Sequence, residues 1–431
     1  MKGIGYWSVV SIGIGGMVGG GIFAVLGLAV QMAEGGVPLA FFISGLIAMV
    51  TAYAYVRLSV TYPSQGGTVE FLNQAFGSGM VTGGLNVLLW LSYIIMLSLY
   101  AYAFGSYGKV FFPAATQAIW KHVLISTVVI FLTLLNVLGA RAVGKSEVWI
   151  VGMKVTILFV FIAFGISHVN FNHLAPSTWA KPMSLFAGGM IIFLAYEGFE
   201  LIANTAKDVK NPQRTLPKAY YSSVGFVIVL YVLVSIVTSG NLSISQIVAA
   251  KDYALAEAAK PFLGNTGYTL IAIAALLSTA SAINATLYGA ARISYIIAKD
   301  GELPTILEHK IWNRPVEGLL ITSVLTLLAA NFLELSSISM MGSAGFLLIF
   351  AAVNVANVRL HHETNSQIWI SAIGTIACMT AFVALVWRIS ESMPSKLWLL
   401  GVMLAAAFFI EATYRAITGR QIVPFHHPGS T

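Results

Sequence analysis

About twelve apolar runs, each long enough to cross a bilayer, constrain this chain more than any other feature of it. They fall at 6–31, 39–62, 81–112, 119–138, 146–168 and 183–206, then at 220–240, 267–298, 318–332, 337–358, 368–389 and 397–417. A helix needs ~20 predominantly apolar residues to span the hydrocarbon of a bilayer. With 58% hydrophobic and only 9% charged residues, the chain carries more apolar surface than a soluble core absorbs. Lipid gives unpaired backbone groups no water to bond, so the spanning elements are helices. The expected fold is an all-α integral membrane protein.

The remaining composition excludes several classes. A net charge of +7 sits in short loops rather than in one dense patch, so nucleic acid is not an expected partner. The single cysteine, Cys378, lies in an apolar run and reads as packing, with no disulfide framework. The histidines fall near span ends or in loops, and adjacent His361 and His362 lack the i,i+4 spacing of a helical metal pair. No metal or cofactor is expected. No nucleophile elbow, phosphate loop or convergent acid, base and nucleophile set appears, so the chain is not read as an enzyme. The first apolar run is too long for the core of a cleavable signal.

Basic residues set the orientation. With the N-terminus inside, inner loops and ends collect Lys2, Arg57, Arg141, Lys145, Lys207, Lys210, Arg214, Lys218, Arg292, Lys299, Lys310, Arg314, Arg359, Arg415 and Arg420. Outer loops keep Lys109, Lys121, Lys181, Lys251, Lys260, Arg388 and Lys396. That asymmetry follows the positive-inside rule and places both termini in the cytoplasm, in a multi-pass protein of the cytoplasmic membrane.

Two runs carry interruptions. The first contains GIGGMVGGGIF, residues 13–23, although each glycine costs a helix about 1 kcal/mol relative to alanine. The sixth contains Gly198 between Glu197 and Glu200. The two are offset by five runs, an odd number, so they enter the membrane from opposite sides. Matching broken helices in halves of opposite orientation point to an inverted-repeat secondary transporter with its site at the midplane. The expected division is 1–168 and 169–362 for the two repeats, 363–417 for two extra spans, and 418–431 for a cytoplasmic tail.

A break supplies ligand groups. If the first span unwinds over Val18, Gly19, Gly20 and Gly21, the half-helix starting near Ile22 offers free amides and a positive dipole end to a carboxylate. Carbonyls of Gly15 and Val18, with those of Phe193, Leu194 and Ala195 on the sixth span, suit a cation. Together they select a ligand with both signs close together, such as the α-carboxylate and α-ammonium of an amino acid. Glycine allows close approach and positive φ there. The competing reading, glycines as packing contacts, is suggested by the Gly15 and Gly19 spacing.

Five motifs then carry a family resemblance. GGGIF at 19–23, PSQGGTVEFL at 63–72, FLAYEGFE at 193–200, KNPQRTLPKA at 210–219 and GAARISYIIAKDGELP at 289–304 resemble, in order, those of the amino acid/polyamine/organocation transporter superfamily. Glycine replaces the usual central small polar residue of the first motif, and Val69 stands where an aromatic is common. The resemblance implies a five-plus-five inverted repeat, alternating access and small solutes as cargo. Lys154 is similar to the fifth-span lysine of proton-coupled members, which stands where sodium-coupled relatives bind an ion.

Lys154 is unusual on physical grounds too. It lies ~13 Å along a helix from Lys145, and a mid-helix lysine costs about 2.5–3.5 kcal/mol on insertion scales, so it should face the bundle interior. Its expected partners are the Gly15 and Val18 carbonyls and a hydroxyl from Ser278 or Ser281. Either the ammonium gives up its proton and couples uptake to protons, or it stays charged and the protein exchanges substrates without coupling. Glu197 stands as a contact for the substrate amine, a proton carrier or a bond to loose amides. Glu200 reads as a dipole-stabilising residue in the first turn after the break. Phe193 and Tyr196 flank the break as gate candidates, ahead of Phe199, Trp90 and Tyr93.

The function expected is amino acid transport by alternating access, sodium-independent and proton-coupled. Uncoupled exchange, a cationic amino acid or polyamine cargo, and an ion channel are its alternatives. Partners are the cargo, protons and lipid; oligomeric state is not readable.

Overall fold

The computed structural model describes residues 3–77, 79–138, 143–299 and 316–418. The orientation charges Lys2, Arg141, Lys310, Arg314 and Arg420, the Lys145 side chain, the end of the fifth motif and residues 419–431 lie outside what is described.

Among the described residues the chain is helical throughout. The second span is Val37–Thr61, followed by a short helix, Thr68–Phe76. The third, fourth and fifth are Met80–Gly108, Gln117–Leu138 and Val143–Gly165. The seventh is Pro212–Asn241. The eighth occupies the later part of Ala254–Lys299, which turns at Gly264 with φ 60°. The tenth to twelfth are Leu335–Arg359, Ile368–Ser392 and Leu397–Thr418. Val316–Phe332, at 17 residues, is a shorter apolar helix in the ninth position.

The first and sixth spans are broken. Tyr6–Met17 and Gly21–Ala33 meet at 41°, and so do Pro182–Ile191 and Phe193–Asp208. Gly19, Gly20 and Gly21 keep negative φ; the positive-φ glycines among the described residues are Gly67, Gly77 and Gly264. The first break therefore uses glycine for close approach rather than for left-handed backbone. The sixth span bends at Ile192, six residues before Gly198, and continues as a tighter 3-10 helix over Phe193–Asp208. Glu200 is thus well inside that segment and not in its first turn.

Packing repeats itself under a shift of five spans. The first packs on the seventh as the sixth does on the second; the fifth packs on the eighth as the tenth does on the third. The first on the fifth and the sixth on the tenth form a similar pair. The third and tenth spans are enclosed on most sides, whereas the fourth, fifth, eleventh and twelfth turn residues such as Phe131, Trp149, Ile376 and Phe409 outward. Helices that are apolar on every face suit positions between other helices and lipid.

Two short clips join the broken spans. Near the start of the first, Ile4 N donates to Asp208 O at 2.8 Å and Lys210 N donates to Ile4 O at 2.9 Å. At its other end, Gly35 N donates to Thr178 O at 3.2 Å and Ala180 N to Ala33 O at 3.4 Å. The two spans are tied at both ends and packed together between them.

Candidate functional site

The two broken spans cross at glycine. A Cβ built on Gly16 would lie 2.7 Å from Gly198 O, and one on Gly198 would overlap the Gly16 backbone. A Cβ on Gly21 would stand 2.7 Å from Ala195 Cα, and one on Gly19 would be 2.6 Å from Ala282 Cβ. Gly20 lies against the Tyr100 ring. The packing reading of these glycines therefore holds alongside the break. It brings the half-helix opening at Gly21 against the bend at Ile192.

Amides and carbonyls separate into two groups. The first internal bond of the second half-helix is Ala24 N to Gly20 O at 2.9 Å, so the amides of Gly21, Ile22 and Phe23 precede it as the helix-opening donors. Gly21 packs on Ala195 and the Ile22 amide meets the Tyr231 hydroxyl, and everything from Val18 to Phe23 and from Phe193 to Tyr196 is buried. The conformation is closed to solvent at this point.

The carbonyls that end the preceding half-helix are held by side chains. Lys154 Nζ, buried on the fifth span, donates to Gly15 O at 3.0 Å. Ser278 Oγ on the eighth span contacts Val18 O at 2.6 Å and also Gly19 O. Tyr100 donates to Gly16 O at 3.3 Å, and Tyr231 to Met17 O at 2.6 Å. Ser281, half-buried on the helix that carries Ser278, makes none of these contacts. Of the residues singled out from sequence, the structure gathers Gly15, Val18 and Gly19 with Lys154 and Ser278, sets Gly21 against Ala195, and buries Gly20, Ile22, Phe193, Leu194 and Tyr196.

The sixth-span bend is supported in a similar way. Ser339 and Ser343, one helical turn apart on the tenth span, each donate to Ile191 O at 2.8 Å, while Leu194 N donates to Ser343 Oγ at 3.2 Å. Tyr231 also reaches Ala195 O at 3.3 Å, so one hydroxyl touches both breaks. Freed backbone groups inside a membrane protein need such partners. Sequence reading missed Tyr231, Ser339, Ser343 and Tyr100. The signal available was a hydroxyl in an apolar run, with i,i+4 spacing for the two serines.

Aromatic candidates divide by contact. Tyr196 donates to Phe41 O at 2.9 Å beside the Tyr231 ring. Phe193 packs edge-on against Phe350, and Phe199 sits among Tyr55, Tyr220 and Phe350. Trp90 donates to Thr322 at 3.0 Å, which ties the third span to the ninth. Tyr93 packs on Phe346. Glu200 Oε2 accepts from Tyr55 at 3.1 Å and Thr68 at 3.2 Å, joining the second span and the short helix to the sixth.

Among the described residues no cluster of three or more His, Cys, Asp or Glu side chains has the arrangement of a metal site. Cys378 is buried against Thr51.

A sequence model described as amino acid permease matches residues 4–409. The chain is 35% identical over 407 residues to the inner membrane transport protein YbaT of Escherichia coli, covering 94% of each. It is 35% identical over 426 residues to an uncharacterized protein of Methanocaldococcus jannaschii, covering 97% of each. The branched-chain amino acid permease BcaP of Bacillus subtilis is 23% identical over 386 residues, covering 84% of this chain and 81% of that one. Among solved structures, a manganese transporter of Eremococcus coleocola superposes with a TM-score of 0.64 at 13% identity, covering 96% of this chain and 93% of that one. At that identity the likeness concerns the fold alone.

Proposed function

Because the chain belongs to the amino acid permease family, we propose that it carries amino acids across the cytoplasmic membrane by alternating access, with both termini inside, and couples their entry to protons through Lys154. The observation that carries this reading is the pairing of helix-opening amides at Gly21 to Phe23 with the bent segment Phe193 to Ala195. Donors favour a carboxylate and carbonyls favour an ammonium, so the two charges of an α-amino acid are met by backbone rather than by side chains. A site of that kind accepts many side chains.

Lys154 supplies the coupling. Its ammonium is held by Gly15 O, at the end of the half-helix that precedes the break. Loss of the proton removes a charge-assisted bond to that half-helix, and such bonds are roughly twice as strong as neutral ones. Protonation state is thereby linked to the position of the first span, and each cycle takes a proton up on the outer side and releases it on the inner side. Each of the repeats 1–168 and 169–362 lends its broken span to one moving body, the first and sixth spans clipped together at both ends, which shifts against the rest.

Purified protein in vesicles tests the reading. Saturable uptake, accelerated when unlabelled substrate waits inside, is expected of a carrier; flux that does not saturate would indicate a channel. Lys154→Ala should abolish substrate-driven proton entry. Undiminished proton entry in that variant would remove Lys154 from the coupling.

A further inference from the structure

The 3-10 conformation of Phe193–Asp208 has a chemical consequence at Glu197 and Glu200. In such a helix side chains three apart eclipse one another, so the two carboxyls stack along one edge of the sixth span, on the Asp208 side of the bend. Both are buried, with 2% and 1% exposure. Neither forms an ion pair among the described residues. Lys154 on the fifth span donates to Gly15 O.

The two carboxyls are provided for differently. Glu200 Oε2 accepts from Tyr55 and Thr68, which is the surrounding a carboxylate requires. One oxygen of each, Glu197 Oε2 and Glu200 Oε1, is buried with no hydrogen-bond partner; against the several hydroxyls around Glu200, Glu197 has Tyr100 alone. Among the described residues the titratable groups facing the pair are tyrosines: Tyr55 on the second span, Tyr93 and Tyr100 on the third, and Tyr220 and Tyr231 on the seventh. The tenth span brings Phe350 against Phe199 and Phe193. An isolated carboxylate in such surroundings is strongly disfavoured by desolvation, and two adjacent ones would also repel.

We propose that Glu197 and Glu200 form a second proton-binding site, separate from Lys154, in which Glu197 holds the proton and Glu200 keeps the charge. The proton arrives from water on a carboxylate oxygen and leaves from it; no bond other than O–H is made or broken. The site adjoins the crossing of the first and sixth spans through Gly198 and Tyr100, which also bonds Gly16 O. It goes beyond the cargo site and does not depend on which solute is carried.

Infrared spectroscopy of the purified protein at neutral pH tests the assignment. Wild type should show the carbonyl stretch of a buried protonated carboxylic acid. That band should vanish in Glu197→Gln and in the Glu197→Gln/Glu200→Gln double variant, persist in Glu200→Gln, and shift in Glu197→Asp. Glutamine is isosteric with the neutral acid, so Glu197→Gln should also melt within a few degrees of wild type. A wild-type protein with no such band, or a band retained in the double variant, would overturn the proposal. Failure of amino acid uptake would leave these spectra unchanged and would bear on the cargo alone.

Discussion

Gly16 and Gly198 meet backbone to backbone, and their contact fixes how closely the two broken spans approach. A methyl group at Gly16 would lie 2.7 Å from a carbonyl oxygen that cannot rotate away. Overpacking of this kind costs typically 1–3 kcal/mol. Gly16→Ala should lower the melting temperature and reduce uptake together, whereas Gly5→Ala, where a Cβ meets nothing within 4 Å, should do neither. Thermal unfolding of the two variants in detergent checks this.

Tyr231→Phe separates support of the breaks from the fold. It removes a hydroxyl shared by Met17 O and Ala195 O while keeping the ring against Phe41 and Tyr196. A hydrogen bond contributes about 1 kcal/mol net, so the protein should stay folded. Amino acid affinity should fall several-fold, measured by binding to purified protein.

Ser339→Ala and Ser343→Ala should be non-additive. Both hydroxyls reach Ile191 O, and one replaces part of what the other supplies. Each single change should lower stability by on the order of 1 kcal/mol. The double variant should lose more than the sum of the two, because Ile191 O is then left without either donor. Equal and additive losses would contradict the shared role.

The clips at Ile4 with Val209 and at Glu34 with Trp179 predict that the first and sixth spans travel together. With Cys378 buried against Thr51, cysteines placed at Ile4 and Val209 can be oxidised selectively. Uptake should survive that cross-link. Arrest on oxidation, reversed by reduction, would show that the two spans part during transport.

One pH effect is local to the loop before the tenth span. Lys396 both hydrogen-bonds and attracts Glu334, which holds that carboxyl below its ordinary value of about 4.5. A lowered carboxylate contributes stability above the unfolded value and loses it as pH falls through the folded one. The group is mostly exposed, so the effect is small. Melting temperature should drop slightly more in wild type than in Lys396→Met as pH falls below about 4.5.

How much of this was legible in sequence depends on the element. The first break was readable because glycines in an apolar run have few other uses, although their φ values show that approach, not left-handed backbone, is the reason. The sixth break was read over residues 193–198 with Gly198 as its breaker, while the bend falls just before, at Ile192, which carries no breaker. Glycine there serves the crossing. Lys154 could be placed inside the bundle because a buried ammonium must find acceptors, and carbonyls ending a half-helix are the nearest kind. Tyr231, Ser339 and Ser343 escaped notice because the rotation of a helix that is apolar on all sides is set by packing, and a lone hydroxyl in it gives no direction.

The central claim is that backbone at two breaks recognises both charges of an amino acid, and melting curves with paired ligands test it most directly. A ligand that binds the folded state raises its stability with concentration. A transported amino acid should raise the melting temperature, whereas its methyl ester, lacking the carboxylate, and its deaminated acid, lacking the ammonium, should not. Stabilisation by either analogue equal to that by the parent amino acid would contradict the claim.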